Sequence, residues 1–404
     1  MDAAELAART SYGRLLSVLA VRSGDLAGAE DALADAFLAA VKQWPRDGVP
    51  RNPDAWLMTA ARRRLIDATR RRTHAENYLL SADEGDGTSS EAQGDFPDER
   101  LRLLFLCAHP AIDPAVRTAL MLQSVLGLDA ARIAACLRVA PKTMGQRLWR
   151  AKLKIRDACI PFAVSLEHVA ERVFSVLEAI YAAYGSGWED LAGDAAASRD
   201  LTEEAIWLAR LTTRLLPDEP EPRGLLAAML YAEARARARR ASDGSYIPLS
   251  EQIPSLWDRQ QLAEAEATLS EAARLGRMGP FQLEAAIQSA HINARLTGRN
   301  DDQAVALLYE GLVQVAPTLG AQVARAVARS KTDGAALGLA FLDAIESPAV
   351  RETYQPYWSA RAHLLEQLGR LEEARGAYER AVGLSEDAGI RRFLLEKSQR
   401  TRLR

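Results

Sequence analysis

The chain has 404 residues, enough for two or three domains that each bury a core. Its composition, 48% hydrophobic and 26% charged, is that of an ordinary globular protein, and its longest apolar runs fall far short of the ~18 residues of a membrane span, so no membrane partner is expected. The net charge of −3 conceals opposite local balances: +2 over residues 1–78, −7 over 79–99, +8 over 100–160 and −6 over 161–404. An acidic total therefore does not argue against a nucleic-acid partner, because the positive charge is concentrated in one segment.

The N-terminal residues show no basic stretch followed by an apolar run, so no export signal is expected. Cys107, Cys136 and Cys159 are unspaced singles, which fits a reducing cytoplasm with all three thiols packed as small apolar groups. Residues 1–45 read as helices. From Gly28 to Trp44, an apolar stripe of Leu33, Phe37, Ala40, Val41 and Trp44 leaves Glu30, Asp31 and Asp35 off the stripe, on a solvated face. The Pro-rich stretch from Trp44 to Pro53 forbids a regular helix and predicts a shaped loop, with Asn52 as N-cap of a helix opening at Pro53.

That next helix carries a buried stripe of Leu57, Ala61, Leu65 and Ala68. Trp56, Arg63, Asp67 and Arg70 fall together on an adjacent face, and residues 62–72 hold six Arg against one Asp. An aromatic beside an arginine row suits a nucleic-acid strand, since a ring can stack on bases while guanidinium groups hold phosphates. Asp67 is placed to orient Arg63 and Arg70 from one turn away. Residues 79–99 carry seven acids and no base, and read as a flexible acidic linker. Two strongly apolar helices follow, Pro114 opening the second and Gly127 ending it. Cys107 and His109 lack a second ligand pair, so a packed core pair is expected there and no metal.

From Asp129 to Arg156 two short helical patterns flank a tight break at Val139 and Pro141. Ile133, Ala134 and Leu137 mark the first, and Met144, Leu148, Ala151 and Ile155 give the second a clean stripe. Seven Lys/Arg and no acid lie between Arg138 and Arg156. A basic helix docked on a small apolar one predicts a helix-turn-helix whose second helix is offered to the DNA major groove. Gly145 inside that helix lowers its stability by roughly 1 kcal/mol relative to Ala. Trp149 and Leu153 lie opposite the buried stripe. Trp149 is either a stacking surface for DNA sugars or a docking point for the rest of the chain.

Two basic helical modules joined by an acidic linker, in this order, resemble a bacterial RNA polymerase sigma factor of the extracytoplasmic function group of the sigma-70 family. The stretches that carry the resemblance are AEDALADAFLAAVKQW, NPDAWLMTAARRRLIDATRRR and GLDAARIAACLRVAPKTMGQRLWRAKLKIR, within residues 1–160. The resemblance implies that Asp31, Asp35 and Phe37 meet the clamp helices of the polymerase beta-prime subunit. It further implies that Trp56, Arg62, Arg63, Arg64, Asp67, Arg70 and Arg71 read and melt the −10 element as double- and then single-stranded DNA. Lys142, Thr143, Gln146, Arg147, Arg150 and Lys154 would contact the −35 element. Arg63 stands where many members carry Asn, and Arg138 where Gly is common.

Residues 161–404 extend well beyond the usual end of such a factor and are dominated by helical patterns. Similar pieces at 300–317, 333–348 and 369–385, with Gly334 and Gly369 spaced 35 apart, approach the ~34-residue tetratricopeptide period. The last piece, stepping through Leu371, Ala374, Tyr378 and Ala381, matches best. The tail resembles the tetratricopeptide-like extension of one sigma subgroup, which implies that it modulates activity, through a protein or peptide partner or by packing on the Trp149 and Leu153 face.

The expected architecture is thus all-α: a first module at 1–78, an acidic linker at 79–99, a helix-turn-helix module at 100–160 and a helical tetratricopeptide-like domain at 161–404. A DNA-binding regulator with a helical sensor domain is the other reading, but it has no need of the Trp56–Arg72 helix. An enzyme lacks support, since the five His are scattered and no HExxH, Walker A or G-x-S-x-G occurs. No cofactor is expected.

Overall fold

The computed structural model describes residues 3–77, 96–137, 139–162, 164, 168–188, 195–345 and 352–401. The acidic linker, apart from residues 96–99, and Arg138 lie outside the described residues. Among the described residues the fold is all-α, with eighteen α-helices and one isolated antiparallel bridge between Arg240 and Tyr246. The chain divides into two compact units, Met1–Leu215 and Leu216–Arg404.

The first unit contains α1 (Ala3–Ser23), α2 (Leu26–Asp47), α3 (Pro53–Asn77), α4 (Glu99–Cys107), α5 (Pro114–Ser124), α6 (Ala130–Cys136), α7 (Pro141–Asp157), α8 (Val169–Trp188) and α9 (Ala195–Leu215). Helix α2 outruns the expected loop: it continues through Pro45 to Asp47 and ends where Gly48 takes φ 85° and donates its N–H to the Trp44 carbonyl. A proline near a helix end costs one internal bond, and the glycine one turn later supplies the stop. Asn52 caps α3 as expected, accepting from Ala55 N at 3.0 Å. Asp113 and Asp129 cap α5 and α6 through their side chains, while α7 opens on Pro141 without a side-chain cap.

Helix α1 is the hub of this unit, packing on α2, α3, α4 and α5. At Gly13 a Cβ would stand 1.7 Å from the Val125 carbonyl oxygen, so α1 meets the backbone at the end of α5 with no room for a side chain. Helix α7 rests on α5, α6 and α2, burying Met144, Leu148, Ala151 and Ile155. Helix α8 lies against α5 and α4, and α9 pairs with α8. Arg100, next to the Asp98 cap of α4, bonds Glu204 of α9 at 2.5 Å and stacks 3.8 Å above the Trp207 ring. Helices α8 and α9 therefore belong to the same core as α4 and α5.

The second unit stacks α10 (Pro220–Glu233), α11 (Arg259–Arg274), α12 (Pro280–Thr297), α13 (Asp302–Val315), α14 (Leu319–Asp333), α15 (Ala335–Asp343), α16 (Gln355–Gln367), α17 (Leu371–Leu384) and α18 (Ala388–Arg400). Each helix from α10 on packs on the next, and α10 also packs on α12 and α14 on α16, the neighbour-to-neighbour pattern of a helical array. Helix α10 ends at Glu233. There Arg235 turns inward to bond the Tyr231 carbonyl and Gln288, and a short 3-10 turn follows. Ala374, Tyr378 and Ala381 are buried as their spacing predicts.

Candidate nucleic-acid interface

Two basic surfaces stand out in the first unit. The first is α3, held by α1 and α2 through its apolar side, Leu57 and Ala61 being fully buried. With that side fixed, Arg62, Arg63, Arg64, Asp67 and Arg70 are exposed; the side chain of Arg71 lies outside the described residues. Trp56 is half-buried, its ring in a T-shaped contact with Trp44 on α2, with centroids 5.6 Å apart. That contact leaves part of the ring accessible beside the arginine row while restricting its rotation, a supported stacking platform. Arg64 reaches back to Asp35 on α2 at 2.6 Å, and Arg14 of α1 pairs with Asp54 in the first turn of α3.

Helix α7 is the second basic surface. Its buried stripe turns Lys142, Thr143, Gln146, Arg147, Arg150 and Lys154 to solvent, so all six side chains are available on one helix. Trp149 is 62% exposed and Leu153 half-buried. Within this unit the helices after residue 160 lie on α4 and α5.

On α2, Asp31 and Asp35 are exposed and Phe37 is half-buried, stacked on Tyr12 of α1 at 6.3 Å between centroids. Val41, expected in the buried stripe, is instead 49% exposed, since α2 turns Ala36, Ala40 and Trp44 toward its neighbours. Glu30 also departs from expectation. It lies beneath α7, where its carboxylate accepts from Lys152 Nζ at 2.5 Å, each side chain 15% exposed. Burial raises the Glu30 pKa, and neighbouring Asp31 adds to the rise against the opposing pull of Lys152. The pair spans 122 residues of sequence, and nothing in the local pattern of either helix announces it.

The cysteines split. Cys107 is buried, its thiol pKa pushed up by desolvation, and the His109 ring accepts from Ala111 N at 3.1 Å. Cys136 Sγ lies 3.0 Å from Ser186 Oγ on α8. Cys159, expected to be packed, is exposed at the end of α7 with φ 47°, because the chain there leaves the helix in a left-handed turn. Among the described residues no group of His, Cys, Asp and Glu is arranged to hold a metal ion, and no helix is long and apolar enough to cross a membrane.

Residues 8–75 match the family described as Sigma-70 region 2, which covers α3 and the face of α2 that carries Asp31 and Asp35. Residues 172–273 match a family of unknown function, DUF6596, which begins in α8 and crosses into the second unit. The chain is 37% identical over 397 residues to an uncharacterized protein of Rhizobium meliloti (strain 1021), covering 96% of this chain and 92% of that one. It is 31% identical over 137 residues to the RNA polymerase sigma factor CarQ of Myxococcus xanthus, covering 34% of this chain and 76% of that protein. No solved structure matches the chain. An Arg-rich helix with a supported tryptophan, a second basic helix in the same unit, and these matches lead to one conclusion: the chain belongs to the sigma-70 family of RNA polymerase sigma factors.

Proposed function

We propose that this protein is a sigma factor of the extracytoplasmic function group, acting in the cytoplasm on core polymerase and promoter DNA. In this reading Asp31, Asp35 and Phe37 on α2 dock on the beta-prime clamp helices. Trp56 with the arginines of α3 opens and holds the −10 element, and α7 enters the major groove at the −35 element as the second helix of a helix-turn-helix. The observation that carries the reading is α3, where four exposed arginines follow a tryptophan braced by Trp44 along one helix. A regulator that only binds duplex DNA has no use for a stacking platform of that kind, whereas strand separation exposes bases that need one. The factor performs no bond chemistry itself; it lowers the free energy of promoter recognition and opening.

Residues 216–404 act in this reading as a tetratricopeptide-like modulating domain that recruits a protein or peptide partner. The experiment is run-off transcription with purified core polymerase on a library of promoter fragments. Specific initiation that is lost in Trp56→Ala and weakened in Arg147→Ala supports the reading. A chain that binds duplex DNA yet neither binds core nor initiates would be an ordinary regulator.

A further inference from the structure

The second unit has a partly open cavity of about 340 Å³ among α12, α13, α14 and α16. It exists because α14 presents small residues along it: Gly320, Ala324 and Ala328, at successive i, i+4 positions, leave space that larger side chains would fill. Well-packed interiors hold few voids larger than a water molecule, and this volume lies within the range of about 300–1,000 Å³ typical of small-molecule sites. Val305, Val323 and Val327 make its walls mainly apolar.

Four polar side chains line this apolar space: His291 of α12, Tyr309 of α13, Lys331 of α14 and Tyr354, which precedes α16. His291 and Tyr309 are both half-buried. Lys331 is 46% exposed along its side chain and only loosely paired with Asp302, at 3.7 Å. No carboxylate lines the cavity among the described residues. The His291 pKa is lowered first by burial and then by Lys331 and Arg235, with Asp302 opposing them.

We propose that this cavity is a binding site for a small organic acid, its apolar body against Val305, Val323 and Val327 and its carboxylate on Lys331, His291 and Tyr309. A neutral hydrocarbon would offer the Lys331 ammonium no charge, and an organic cation would meet that ammonium in a lining that holds no carboxylate among the described residues. The assignment goes beyond the transcriptional reading and does not depend on it.

Octanoate is the probe, with octanol and octylamine as neutral and cationic counterparts, titrated into the full chain by calorimetry. Octanoate is expected to bind with one site and to raise the unfolding temperature of the protein with concentration. Octanol and octylamine should bind at least tenfold more weakly. Lys331→Met should weaken octanoate at least tenfold, and Ala324→Phe, which fills the cavity, should remove binding. Should Ala324→Phe fail to fold, the partly exposed Lys331→Met variant still decides the matter. Equal binding of octanoate and octanol, unchanged binding in Lys331→Met, or no binding of octanoate would each overturn the proposal.

Discussion

Replacing Lys152 by Met isolates the contact that fastens α7 to α2. Glu30 and Lys152 are each 15% exposed and 2.5 Å apart, so removing the ammonium leaves a carboxylate beneath α7 without its counter-charge. Breaking a buried pair from one side costs about 3–5 kcal/mol, whereas replacing both partners by apolar groups of similar volume is often neutral. Lys152→Met should therefore destabilise the α2–α7 contact by about that amount at pH 7.5, and Glu30→Leu combined with Lys152→Met should recover most of the loss. The pH dependence has a definite sign. A carboxyl whose folded pKa is raised binds its proton more tightly when folded, so its contribution to stability falls as pH rises from its ordinary 4.5 through the raised value. Without Lys152 the rise is larger, so the single variant should lose stability more steeply with pH than the parent. Amide hydrogen exchange of α2 and α7 in the intact chain reads this directly, with protection expected to fall on the order of a hundredfold or more. A loss below about 1 kcal/mol at both pH 5 and pH 7.5 would show that the pair is a solvated contact and refute the reasoning.

Other consequences follow from close packing and local propensity. Gly13→Ala should destabilise the first unit by about 1–3 kcal/mol, because its Cβ would overlap the Val125 carbonyl; unchanged thermal unfolding would contradict that close approach. Gly145→Ala should stabilise by about 0.5–1 kcal/mol, since a Cβ there meets nothing within 4 Å and the residue lies mid-helix; a lower unfolding temperature would count against it. A chain ended after Leu215 should fold cooperatively, while one ended after Ile160 should bind hydrophobic dye, because it strips α8 and α9 from α4 and α5; the comparison is made by dye fluorescence and denaturant unfolding.

Much of the local structure was legible from residue spacing. The stripe Met144, Leu148, Ala151 and Ile155 is the buried side of α7, and that alone turns Lys142, Gln146, Arg147 and Arg150 outward. Asn52 before Pro53 marked the start of α3, since capping depends on the residue and its next neighbours. Segment charge located the basic helices for the same reason: it is a property of short stretches of chain.

What spacing left open was which face meets which. Glu30 lies off the apolar stripe of α2 and reads as solvated, yet α7, more than a hundred residues away, covers it. Trp56 reads as one aromatic among arginines, and only the folded chain brings Trp44 against it. The tail reads as a single extension from residue 161, but the division falls at Leu215, because α8 and α9 complete the apolar surface of α4 and α5. The cavity beside Lys331 likewise depends on small residues of α14 facing three other helices. Periodicity and caps are set within a turn or two of helix, so the sequence by itself determined the helices and their outward basic faces. Pairing between distant helices depends on the whole packed arrangement, so only the tertiary structure decided the buried ion pair, the braced tryptophan, the unit boundary and the cavity.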